Sequence, residues 1–111
     1  MFGLFGRGSI RDLMPEEVAA GLAADKILLI DVREPNETAQ ERIQGALLAP
    51  LSQFDPVDLP HPEGRTVVFT CASGIRSIKA AEIAQAAGLA FDAHLAGGIK
   101  AWKAAGLPVE T

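Results

Sequence analysis

The chain has 111 residues, enough for one domain, and nearly half of them (49%) are apolar, with 19 alanines keeping the mean hydropathy at only +0.21. Apolar runs such as Ile27–Ile30 fall far short of the roughly 20 residues that span a bilayer. Charged residues make up 22%, are well mixed and sum to −4 (pI ≈ 5.0), which excludes a disordered or low-complexity chain and argues against nucleic acid as the main partner.

Residues 1–8 carry some apolar character, but glycines break the run and Arg7 follows it. A secretory signal has the opposite order, so a flexible leader is expected here, with the folded domain over 9–111. The absent signal and the single thiol point to a cytoplasmic protein. Pro15, with Glu16 and Glu17 behind it, predicts a helix start, proline at the first position and acids facing the dipole. That helix ends near Asp25. Ile27–Ile30 is a continuous apolar run too short for a helix, which suits a parallel strand buried on both faces. Glu34-Pro35-Asn36-Glu37 breaks the strand and opens a short helix through Glu41. Gly45–Ala49 reads as a short strand stopped by Pro50, and the proline-rich stretch 55–64 as an exposed loop.

Thr66–Thr70 is β-branched and aromatic, a second clear strand. It runs into Cys71, a glycine-containing turn, and a helix over about Ile75–Ala87 that Gly88 caps. Phe91–Leu95 is a weaker strand. Gly97-Gly98 then turns the chain into a last helix carrying Trp102 and closed by Gly106 and Pro108. Alternating strands and helices predict an α/β fold, a parallel sheet with helices on both faces.

Sites in open parallel sheets lie beyond the carboxyl ends of the strands, which is where Cys71 falls. Just ahead of a helix N-terminus, unpaired N–H groups and the helix dipole favour a thiolate, the nucleophilic form. Gly74 permits a tight turn, Arg76 adds a permanent positive charge and Ser77 a hydroxyl. One cysteine makes neither an internal disulfide nor a zinc site, and no metal is expected. His61, in the proline loop, and His94, in a strand pattern, have no acid or cysteine at ligand spacing and read as ordinary residues.

The loop Cys71-Ala72-Ser73-Gly74-Ile75-Arg76-Ser77 resembles the active-site loop of rhodanese-like domains. Ile30-Asp31-Val32-Arg33-Glu34 is similar to that family's Asp-Val-Arg stretch, and Ile43, Gly45 and Ala46 to its Ile-Pro-Gly-Ala turn. Leu95-Ala96-Gly97-Gly98-Ile99, with Trp102, Gly106, Pro108 and Val109, resembles its closing signature. The resemblance implies a single rhodanese-like domain with a five-stranded parallel sheet. It further implies a sulfurtransferase in which Cys71 takes a sulfane sulfur as a persulfide. The amides of Ala72, Ser73, Gly74, Ile75, Arg76 and Ser77 would cradle that persulfide, and Arg76 would help bind an anionic donor such as thiosulfate. The donor is otherwise a small persulfide or a partner protein's persulfide; the acceptor is cyanide, a small thiol or a protein thiol. No cofactor is implied.

Glu41-Arg42-Ile43-Gln44-Gly45 lacks the histidine and proline that the family commonly has there, so details of substrate entry do not carry over. Asp31 and Arg33 read first as an ion pair bracing a loop and second as donor-binding support. Gly97, Gly98 and Trp102 read as turn and core residues. Two other classes are weighed. Arsenate reduction or phosphoester hydrolysis uses cysteine-to-arginine loops with five intervening residues, whereas Ala72–Ile75 is four, a better fit to one sulfur atom. A non-catalytic regulatory domain or a persulfide carrier is the other.

Overall fold

The computed structural model describes residues 10–111; the leader expected over 1–8 lies outside them. Five strands form one parallel sheet: β1 (Arg11–Leu13), β2 (Ile27–Asp31), β3 (Leu47–Leu48), β4 (Thr66–Thr70) and β5 (Ala93–Leu95), in the spatial order β1-β5-β4-β2-β3. The helices are α1 (Pro15–Ala23), α2 (Pro35–Thr38), α3 (Ile75–Ala86) and α4 (Gly98–Ala104), with 3₁₀ turns at Leu51–Gln53 and Pro56–Asp58. Among the described residues no helix is long and apolar enough to cross a membrane.

The central strands form where the sequence is apolar at every position, because both faces of the sheet are covered and successive side chains alternate between them. Leu29 and Val68 point to one face, against Val18 of α1 and Ile99 and Trp102 of α4. Leu28, Ile30, Val67 and Phe69 point to the other, against Ala80, Ala81 and Ala84 of α3. The alanines let α3 lie close to the sheet. Phe54, after the first 3₁₀ turn, stands edge-on to Phe69 with ring centroids 5.7 Å apart. The N-terminus of α1 forms as its proline and acids predict: the Met14 N–H, just before Pro15, donates to Glu17 Oε1 at 2.9 Å.

Several boundaries move. The strand expected over Gly45–Ala49 contracts to Leu47–Leu48, because Gly45 takes a positive φ of 87° and Pro50 follows closely. The short helix ends at Thr38 rather than Glu41, and the last strand starts at Ala93 rather than Phe91. Arg11–Leu13 carries no strand pattern, yet it pairs with Ala93–Leu95 along the sheet edge. The layers place the carboxyl end of β4, the middle strand, at the centre of one rim of the sheet, with Cys71 directly after it.

Candidate active site

Cys71 is 1% exposed, and its sulfur is ringed by the turn that starts α3. The N–H of Gly74 reaches Sγ at 3.1 Å, that of Ser77 at 3.3 Å, and the Ser77 hydroxyl lies 3.5 Å away. Gly74 supplies this curl by adopting φ 103°, the left-handed region that a side chain disfavours. Burial alone would push the thiol up. The Ser77 hydroxyl and amide, with the amides of Gly74 and Ser73, outweigh it and hold the thiol below its ordinary value.

The N-terminus of α4 fixes the loop from behind. The Ile99 N–H donates to the Cys71 carbonyl at 2.9 Å and the Lys100 N–H to the Ala72 carbonyl at 3.1 Å. In a planar trans peptide the carbonyl and the following N–H point opposite ways. Holding the Ala72 carbonyl on α4 therefore turns the Ser73 N–H away from it, towards the sulfur side. Gly98 is what permits this approach, since a Cβ there would stand 2.4 Å from the Cys71 carbonyl oxygen. The glycine pair read as a simple turn is thus also the support of the loop.

Three of the four cations around the loop are each matched by an acid. Arg33, 3% exposed, donates to Asp31 through Nη2 at 2.8 Å and through Nε at 3.1 Å, and its Nη2 also reaches the Glu41 carbonyl at 2.9 Å. This ties the chain after β2 into the core. Arg76 is bidentate on Glu37, at 2.7 and 2.9 Å, and that pair links α3 to α2. Arg76 holds the Glu37 carboxyl at about 2, against 4.5 ordinarily, while Glu37 raises the arginine in turn. Lys103 pairs with Glu41. A cavity of about 200 Å³ opens beside the loop between Arg33, Glu37, Ala72 and Lys100. Lys100 is exposed and, among the described residues, has no ion-pair partner.

The family model of the rhodanese-like domain matches residues 14–105. The chain belongs to the rhodanese-like domain family. It is 35% identical over 102 residues to a sulfurtransferase of Allochromatium vinosum, covering 90% of this chain and 94% of that one. An uncharacterised Synechocystis protein is 46% identical over 84 residues, covering 76% of this chain and 47% of that one, so the chain spans about half of that relative's length. Among solved structures, a thiosulfate sulfurtransferase of Pseudomonas aeruginosa superposes with a TM-score of 0.75 at 26% identity, over 91% of this chain and 20% of that one. The five-stranded parallel sheet with its flanking helices is therefore the rhodanese-like fold.

The rhodanese-like loop brings together the sulfur, Gly74 and Ser77, and points Arg76 to Glu37. Ala72, Ile75 and Arg76 complete the ring without an N–H bond to Sγ. Sequence reading passed over His94, Asp12 and Lys100. His94, read as ordinary, lies 2.8 Å from Ser77 Oγ through Nδ1 and 2.7 Å from Asp12 Oδ1 through Nε2. No local spacing signals this, because Asp12 stands 82 residues before it.

Proposed function

We propose that this rhodanese-like domain is a sulfurtransferase that carries a sulfane sulfur on Cys71, with thiosulfate or another anionic sulfane donor supplying it. The observation that carries the reading is the cradle itself: a buried sulfur that accepts two backbone N–H groups and lies against the Ser77 hydroxyl, and whose thiol is held below its ordinary value. Cys71 thiolate attacks the outer sulfur of thiosulfate, the S–S bond breaks, and sulfite leaves with the electron pair. The persulfide so formed is an anion one atom longer, and the amides of Ala72 through Ser77 are the donors nearest to it. A thiophilic acceptor, cyanide or a small or protein thiol, then attacks the outer sulfur and releases Cys71 as thiolate. The names of the Allochromatium and Pseudomonas relatives support this chemistry. The four-residue span between Cys71 and Arg76 favours a sulfur atom over a tetrahedral phosphate.

Intact mass after incubation with thiosulfate tests the reading. One added sulfur is expected on the wild-type chain, removed by cyanide with thiocyanate formed, and none on Cys71→Ser. Sulfur transfer retained by a folded Cys71→Ser variant, or aryl-phosphate turnover as fast as sulfur transfer in the wild type, overturns it.

A further inference from the structure

Ser77 Oγ sits between the Cys71 sulfur and a buried imidazole. It lies 3.5 Å from Sγ and 2.8 Å from His94 Nδ1, while His94 Nε2 lies 2.7 Å from Asp12 Oδ1. Ser77 and His94 are 0% and 3% exposed, whereas the Asp12 side chain is 69% exposed. The fold assembles this line from three elements. Asp12 on β1 and His94 on β5 are paired in register, and Ser77 in the first turn of α3 lies over them. The line therefore runs from a buried sulfur to solvent with no gap.

We propose that Ser77, His94 and Asp12 form a proton relay for Cys71, with His94 and Asp12 as positioning residues that act on the sulfur through Ser77. The inference rests on Cys71 being the nucleophile. Asp12 accepts from His94 Nε2–H, which leaves Nδ1 as the acceptor for the Ser77 hydroxyl. Ser77 Oγ in turn accepts from the Cys71 thiol. On ionisation the S–H proton passes to Ser77 Oγ as the hydroxyl's own proton passes to His94 Nδ1. One S–H and one O–H bond break, one O–H and one N–H bond form, and no electrons change hands. The products are a thiolate facing a serine hydroxyl and an imidazolium whose counter-ion is Asp12. When the thiol is re-formed the same bonds reverse.

Among the described residues the surroundings add no competing titratable group in contact with the ring. Of the elements against β5, β1 presents Asp12, β4 sets Phe69 beside His94 in register, and α3 presents Ser77. Arg76, next to Ser77, is occupied by Glu37, and Arg11, next to Asp12, by Asp92. The simpler role for the Asp12–His94 bond is to pin the three-residue edge strand β1, and the two roles separate by measurement.

The test is the rate of Cys71 alkylation by iodoacetamide against pH, on the full chain, for the wild type, Ser77→Ala, His94→Asn and Asp12→Asn. The relay predicts that the midpoint of the profile rises in all three. At pH values well below the midpoint a rise of one pH unit slows alkylation about tenfold, the size expected there for Ser77→Ala and His94→Asn, with a smaller slowing for Asp12→Asn. Asp12 is at the surface, so its variant keeps the fold and carries the test even if a buried substitution unfolds the chain. A profile unmoved by Asp12→Asn, with only thermal stability reduced, overturns the relay and leaves a structural bond. Alkylation reads the thiol without any sulfur donor. A shifted profile in a protein that transfers no sulfur would leave the relay standing and overturn the sulfurtransferase reading instead.

Discussion

Two buried polar groups stand side by side at the carboxyl ends of neighbouring strands, and they are satisfied in opposite ways. Asp31, 1% exposed, ends β2 in register with Thr70, the residue before Cys71, which is equally buried. The Asp31 carboxylate is met by a full charge, the Arg33 guanidinium, and by the Arg33 N–H at 3.0 Å. The Cys71 sulfur is contacted by dipoles, amides and a hydroxyl, while the nearby Arg76, whose charge reaches it only through space, is turned to Glu37. A charge neutralised by a charge is fixed in place and inert. An anion held by N–H dipoles keeps its net charge, and it can extend by one sulfur atom without separating an ion pair. Position in the fold is shared; the type of partner separates the scaffold from the proposed nucleophile.

Breaking the scaffold half of this comparison should have the larger effect on stability. Arg33→Ala leaves Asp31 buried and unpaired, a loss of roughly 3–5 kcal/mol that lowers the melting temperature by on the order of 10–20 °C. Replacing both partners with apolar residues, Asp31→Leu with Arg33→Met, should recover most of it. Thermal unfolding checks both. A thiosulfate KM raised more than about tenfold in Arg33→Ala, at a temperature where it is folded, would place Arg33 among the donor contacts instead.

The Arg76–Glu37 pair sharpens the comparison from the other side, because it is a charge pair one-third open to solvent. Glu37 titrates at about 2 when folded and 4.5 ordinarily. Its folded value is depressed, so its contribution is complete above pH 4.5 and is lost as pH falls from there towards 2. Solvent screening limits that contribution to about 1–2 kcal/mol. Glu37→Gln should therefore be less stable than the wild type above pH 5, with the two converging in acid, as denaturant unfolding at several pH values would show. Arg76→Lys should recover only part of what Arg76→Ala loses, since an ammonium cannot reproduce the bidentate fork. An Arg76→Ala variant unchanged in both stability and thiosulfate KM would remove Arg76 from either role.

The smallest expected effect belongs to Lys100, a cation beside the loop that has no acid partner among the described residues. Lys100→Glu should raise the KM for thiosulfate a few-fold at low ionic strength, with the difference shrinking in salt as an exposed charge is screened. Equal KM values for the two proteins at low salt would show that the loop dipoles alone recruit the donor.

Much of this was written locally in the chain. The runs at 27–30 and 66–70 announced buried strands because a strand covered on both faces is apolar at every position. The loop from Cys71 to Ser77 was readable because its residues are contiguous and a strand end leading into a helix is itself a local pattern. Tertiary structure decided the rest. Strand β1 has two exposed residues out of three and no periodicity, so only pairing with β5 makes it a strand. Whether Arg76 faces a donor or an acid depended on where α2 carries Glu37, 39 residues away. The chemistry of His94 was set by Asp12 and Ser77, 82 and 17 residues distant, because a parallel sheet brings into register residues that sequence spacing keeps apart.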